Sequence, residues 1–299
     1  MNIIGNTAIT NQLSNLAQTH ELPQAIILIG PEHIGKTHIA QHITRAILQI
    51  DESRPLQAHP EFTCVKKADD AHMIVVEDIR RMIAHNAHKA FNNNPRVVMI
   101  KNVHACTLQA ANALLKSIEE PHESTYYILT ATHTQTIPQT ILSRCAIYQL
   151  SHASDGEMIT LMSNTSEEAH TQKKLTWAAG RPGVLHQLEN NDETHAQWYD
   201  ESRQLFSLLT SSHDKRLIWV EEIIGKGTRA TKKEALYNRL DRCIIMLRAL
   251  LFSHGLQKKK LAKQILTSLD NAREVKEKLK KNVQPKGLFD AFVLSLPRL

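Results

Sequence analysis

The chain is 299 residues long, 42% apolar and 22% charged, with a formal net charge of +6. That is enough to bury a sizeable core and too much for one small domain, so two or three domains are expected. No run approaches the roughly 18 consecutive apolar residues of a membrane span, and Met1-Asn2-Ile3-Ile4-Gly5 lacks the layout of a signal peptide, which predicts a cytoplasmic protein without a membrane partner.

From the N-terminus, Ala25-Ile26-Ile27-Leu28-Ile29 is a continuous apolar run suited to a parallel strand covered on both faces. It runs into Gly30-Pro31-Glu32-His33-Ile34-Gly35-Lys36-Thr37, a complete phosphate-binding loop. Gly30 and Gly35 let consecutive backbone N–H groups face phosphates, Lys36 offsets terminal phosphate charge, and the Thr37 hydroxyl can ligate magnesium. A helix follows from Lys36, with Ile39, Ala40, Ile43, Ala46 and Ile47 on one face.

Further strands are predicted at Phe62 to Val65, Val97 to Ile100 and Tyr126 to Thr130, with helices at about Val76 to Ala90 and Thr107 to Glu120 between them. This alternation predicts an α/β domain with a parallel sheet. Pro121 ends the helix whose inward face is Ala111, Leu114, Leu115 and Ile118. Hydrolysis would also need a carboxylate at a strand end to hold magnesium through water, and a second acid to orient the attacking water. After Val97 to Ile100 those places are filled by Lys101 and Asn102; Glu119-Glu120 ends a helix and Glu77-Asp78 begins one. Nucleotide binding without turnover is the expectation.

Arg144 lies between the Thr140-Ile141-Leu142 turn and Cys145, where a guanidinium could reach a phosphate in an adjoining subunit. Beyond Leu150 strand signals fade. Residues 152–190 read as a small helical unit broken by Gly180-Arg181-Pro182-Gly183, and residues 191–299 are helical again, including Ala235 to Phe252, Leu261 to Lys281 and Leu288 to Leu296. Residues 256–299 carry eleven Lys/Arg against four Asp/Glu, so the basic excess is C-terminal and could attract DNA or an acidic partner.

Cys64, Cys106, Cys145 and Cys243 form no CxxC pair, and His38/His42 and His85/His88 are accompanied by no HExxH, so neither disulfides nor a metal site are expected.

The run Ala110-Ala111-Asn112-Ala113-Leu114-Leu115-Lys116-Ser117-Ile118-Glu119-Glu120-Pro121, then Tyr126 to Leu129, then Ile137 to Leu142 with Ser143-Arg144-Cys145, resembles bacterial clamp-loader AAA+ subunits of DNA polymerase III. His59-Pro60-Glu61-Phe62 and Val76 to Arg80 are similar to family segments too, and Asn282 to Phe289 resembles, more loosely, the start of the final collar helix. The resemblance implies an AAA+ P-loop domain at 1–151, a helical lid at 152–190 and an all-α oligomerisation collar at 191–299.

Within that family, motor subunits of the gamma/tau type carry acids where Lys101 and Asn102 stand, and an arginine where Gly183 stands; the chain is similar to the delta-prime type, which tolerates loss of the acids and keeps the arginine. The resemblance then implies a stator-like component of the polymerase III holoenzyme, partnered by motor and delta subunits, the sliding clamp and primed DNA. Arg144 would act in trans on a neighbouring site, and Gly30, Gly35, Lys36 and Thr37 would at most hold ATP or ADP. The stretch Asp51 to Ala58 is too short for the cysteine module that many members carry, so zinc is not expected. An active motor ATPase of the same complex and a stand-alone DNA-binding AAA+ protein are the rival readings.

Overall fold

The computed structural model describes residues 3–68, 73–86, 94–121, 124–162, 168–190, 192–225, 229–253, 258–280 and 283–298. His88, Asn282 and the end of the helix expected to reach Ala90 lie outside them. Two compact units result: Met1–Ser163 with Gly180–Gly183, and Asn164–Ala179 with Val184–Leu299.

The first unit is a five-stranded, wholly parallel sheet in the order β2-β3-β4-β1-β5, with β1 Ala25–Ile29, β2 Phe62–Val65, β3 Arg96–Ile100, β4 Thr125–Ala131 and β5 Ala146–Gln149. All five β1 residues are buried because alternate side chains enter opposite cores. Ala25, Ile27 and Ile29 meet Ile79 and Met82 of α3 (Val76–Asn86) and Ala111, Leu114 and Ile118 of α4 (Leu108–Glu119). Ile26 and Leu28 meet Leu13 of α1 (Thr7–Gln18) and Ile39 and Ile43 of α2 (Lys36–Leu48). At about 1.5–3 kcal/mol for each large aliphatic side chain fully buried, a strand covered on both faces is favoured over any amphipathic alternative for this run.

The sequence expectations miss α1 and β5. The first is polar-rich, yet Leu13 and Ala17 are spaced four apart and both buried. Its amino end is tied to the far end of the sheet: the Asn6 amide donates to Ser151 O (2.9 Å) and accepts from Ser151 N (2.8 Å). Strand β5 is a short edge strand whose residues are alternately half-buried and exposed, so it lacks the apolar run that announces β1. The Thr140 to Leu142 turn is a short helix, α5 (Gln139–Leu142), and α6 (Asp155–Ile159) completes the unit behind a Ser154/Glu157 capping box.

The second unit is helical: α7 Glu168–Ala178, the main part of α8 (Pro182–Asn190), α9 Asp192–Thr210, α10 His213–Gly225, α11 Arg229–Ser253, α12 Lys259–Lys280 and α13 Pro285–Ser295. Its core includes Leu205, Leu209, Val220, Leu240, Leu247, Ile265, Leu269, Phe289 and Phe292. Arg216, only 1% exposed, lies inside it and donates to Leu208 O, Val293 O, Leu296 O and Pro297 O at 2.8–3.1 Å and to Leu209 O at 3.4 Å. Among the described residues no helix is long and apolar enough to cross a membrane.

Candidate functional site

In a parallel sheet a crevice opens where neighbouring strands send their connections to opposite faces. Helix α2, after β1, joins the core that holds Ile26 and Leu28, whereas Ile141 of α5, after β4, joins the opposite core. The carboxyl ends of β1 and β4 therefore flank such a crevice, and the phosphate loop sits on one side of it.

Each member of the motif has a local reason. A Cβ on Gly30 would lie 2.5 Å from Ile34 Cδ1 and 2.6 Å from Leu150 O, so no larger residue fits there. Gly35 has open space around it but adopts φ +94°, a region that side chains rarely tolerate. It opens α2, whose first turn carries neither an acidic residue nor a side-chain cap, leaving N–H groups available for an anion. Thr37 is half-buried in that turn. Lys36 is 7% exposed and folded back on its own loop, its Nζ donating to Gly30 O (2.8 Å) and Pro31 O (2.5 Å). Burial pushes its pKa down to about 8, with the Glu32 carboxylate opposing the shift.

The crest of the loop is held from outside. His33 has φ +62°, and its carbonyl accepts a hydrogen bond from Gly183 N at 2.8 Å. A Cβ on Gly183 would come within 3.0 Å of that same oxygen. Gly180, at φ +70°, accepts from Ala153 N (2.8 Å), and a Cβ on it would lie 2.5 Å from Ala153 O. The two glycines thus serve close backbone approach, which gives Gly183 a packing reason independent of nucleotide sensing.

At the carboxyl end of β3, Lys101 is half-buried and donates its N–H to Val65 O at 2.9 Å. Asn102 is exposed at φ +56°, a left-handed conformation Asn accepts more readily than most residues, and its N–H donates to Thr130 Oγ1 at 2.9 Å. Neither supplies a carboxylate. Glu61 belongs to the opposite edge, where it pairs with Arg96 at 2.8 Å in a buried ion pair. Thr130 and Thr132, buried at the crevice end of β4, escaped the sequence reading; the signal available was two hydroxyls at the end of an apolar strand beside the phosphate-loop strand. Among the described residues, no three of His, Cys, Asp and Glu are grouped to hold a metal ion.

The structure separates Arg144 from the loop residues. Ala146 pairs with Ile26, so Arg144 precedes the amino edge of the sheet, whereas Gly30 follows the carboxyl edge. Roughly 13 Å of strand lies between Ile26 and Gly30 alone, farther than a side chain can bridge. Arg144 NH1 donates to Thr140 O (3.1 Å) and Ser143 Oγ (3.3 Å), and NH2 donates to Glu119 Oε1 (3.1 Å). The guanidinium is a third exposed and cannot serve its own phosphate loop.

Residues 5–154 match the family model described as DNA polymerase III, delta subunit. The chain is 28% identical over 193 residues to the DNA polymerase III subunit gamma of Buchnera aphidicola subsp. Acyrthosiphon pisum, covering 59% of this chain and 54% of that one. To the DNA polymerase III subunit delta' of Haemophilus influenzae it is 41% identical over 76 residues, 25% of this chain and 22% of the other. A solved DNA polymerase III gamma subunit-related protein from Thermotoga maritima aligns over 95% of this chain and 97% of its own, with a TM-score of 0.48 and 17% identity. The chain spans about half the length of the gamma subunits it matches.

Proposed function

The chain belongs to the family of AAA+ clamp-loader subunits of DNA polymerase III, and from that premise we propose that it is a delta-prime-type subunit, a stator rather than a motor. The observation that carries this reading is the pairing of a complete phosphate loop with a β3 end that offers Lys101 and Asn102 in place of acids. Lys36 and Thr37 would hold ATP or ADP without turning it over, since an ammonium at the position of a metal-holding carboxylate repels the cation that hydrolysis needs. Arg144, remote from its own phosphate loop, would act in trans on a motor subunit's nucleotide.

In this reading residues 1–151 are the AAA+ domain, 152–190 a lid and 191–299 the oligomerising collar. The partners are motor and delta subunits, with the sliding clamp and primed DNA reached through the complex. The rival is an active motor ATPase of gamma or tau type, favoured by the intact phosphate loop and by the gamma-named relatives. Two measurements decide. Mixed with motor and delta subunits, the chain should enter a heteropentamer seen by native mass; alone, it should bind fluorescent ADP while phosphate release stays at background. Lys36-dependent steady turnover by the isolated chain would install the motor reading instead.

A further inference from the structure

The C-terminal cations are of two kinds. Several are neutralised: Lys276 by Asp241 (2.6 Å), Lys278 by Glu274 (2.6 Å), Lys286 by Glu221 (2.7 Å) and Arg273 by Asp270 (3.6 Å). Lys258, Lys259, Lys260 and Lys263 are different. They gather at the start of α12, all four are exposed, and among the described residues none forms an ion pair. The first turn of α12 contains no acidic residue. Positive charge at a helix amino end opposes the backbone dipole, and Lys259 and Lys263, four apart, are like-charged neighbours on one face. The fold gains nothing from this grouping, because the buried side of α12 is made by Ile265, Leu269, Ala272, Val275 and Leu279.

We propose that Lys258, Lys259, Lys260 and Lys263 form a docking surface for the phosphate backbone of a nucleic acid. Arginine's planar fork suits carboxylate and phosphate alike, whereas the compact lysine ammonium acts as a point charge that responds to the local density of negative charge. This patch contains lysine only. A duplex presents one charge per about 1.7 Å of axis, a dense and regular array of the sign that four clustered ammonium groups attract. The proposal does not depend on the delta-prime reading, because the isolated chain carries the patch.

The test is fluorescence anisotropy of a labelled duplex and a labelled single strand with the isolated full-length chain, repeated across a salt series. The variant K258A/K259A/K260A/K263A should flatten the log–log salt slope by about 3.6 on duplex or about 2.8 on single strand, and the form whose slope falls by its own full value is the form bound. The fourfold Lys→Arg version should keep the slope, which separates lost charge from a lost fold. Equal slopes for the native chain and the alanine variant, or loss in the arginine version as well, would overturn the proposal. Displacement of DNA by poly-glutamate at equal charge concentration would also overturn it, in favour of an acidic protein partner.

Discussion

Arg144 and Glu119 meet at 3.1 Å on the amino edge of the sheet, on the opposite side of the strands from the phosphate loop. Thr140 O and Ser143 Oγ take two further N–H bonds from NH1. The guanidinium is therefore oriented while keeping donors to spare, because it has five N–H groups. Removal of an arginine that is the sole source of transition-state charge costs about 10³ to 10⁵ in rate. In a ring with several motor sites, Arg144→Ala should remove only the share that depends on this interface, with assembly and the chain's own nucleotide binding unchanged. Glu119→Ala should lower the stimulated ATPase of the assembled complex less than Arg144→Ala does, and leave stability nearly unchanged, since an exposed pair contributes about 0–1 kcal/mol. Arg144→Lys should rescue poorly. A wild-type rate from the assembled Arg144→Ala complex would reduce Arg144 to a surface residue.

Lys36 makes nucleotide binding pH-dependent in a defined direction. Folded back on its own loop, its ammonium is desolvated and its pKa lies near 8. Bound phosphates restore the favourable charge and raise that pKa, so binding above about pH 8 takes up a proton and weakens as pH rises. Below pH 8 Lys36 is already protonated and no uptake occurs. The folding linkage has its own sign: the cost of burying the charge is full below about 8 and is relieved as pH climbs toward the ordinary 10.5. Calorimetric ADP titrations at about pH 7 and about pH 9, each in two buffers of different ionisation heat, should show proton uptake only at the higher pH. Lys36→Met should abolish binding and remove the stability slope. Equal proton uptake at both pH values would contradict the desolvated lysine.

How much of this was legible depends on how local the cause is. Strand β1, the loop from Gly30 to Thr37 and helix α2 are readable because an apolar run, a glycine pair and a helical face lie in one stretch of chain. Helices α12 and α13 begin within a few residues of where their apolar spacing predicts. Strand β5 was not legible: its identity comes from pairing with β1, over a hundred residues away in sequence. The same is true of the contact between Gly183 and His33, and of the Asn6 clamp on Ser151. Glu119 was read only as a helix end, because its partner is 25 residues away and meets it only once α4 and α5 have docked.

The glycines around the loop carry separable constraints. Gly30→Ala places a methyl 2.6 Å from the Leu150 carbonyl, which is backbone and cannot swing aside as the Ile34 side chain can. Overpacking of this kind costs about 1–3 kcal/mol. Gly35→Ala meets no atom and suffers only the φ +94° strain, of order 1–3 kcal/mol. Both variants should melt earlier. Gly30→Ala should, in addition, shift the end of β5, which is seen as faster amide exchange at Leu150, whose N–H donates to Ile29 O at 2.7 Å. Unchanged exchange there in a destabilised Gly30→Ala protein would argue against the close contact.

Arg216 is a buried guanidinium that gathers helix ends. Leu208 and Leu209 lie in the last turn of α9, and Val293, Leu296 and Pro297 lie at or just past the end of α13. The last carbonyls of a helix lack the usual i+4 amide donor; Leu208 O and Val293 O also accept locally, from Ser211 N (3.2 Å) and Leu296 N (3.4 Å), and a cation there also favours the backbone dipole. A single side chain therefore donates to five acceptors in two groups, Leu208 and Leu209 at one helix end and Val293, Leu296 and Pro297 at the other. Arg216→Met keeps the volume but takes a donor from all five carbonyls, and each buried acceptor left unsatisfied costs about 1–3 kcal/mol, so the loss should be on the order of 3 kcal/mol or more. Arg216→Lys should recover only part of it, because three donors on one nitrogen cannot reach both helix ends. Urea unfolding followed by Trp219 fluorescence, in a background with Trp177 and Trp198 replaced by Phe, reads this directly: Trp219 belongs to α10 and packs against the core that Arg216 enters. A midpoint shift worth under about 0.5 kcal/mol for Arg216→Met, the range of an ordinary surface change, would show that the carbonyls find water instead and that the guanidinium is not what joins the two helix ends.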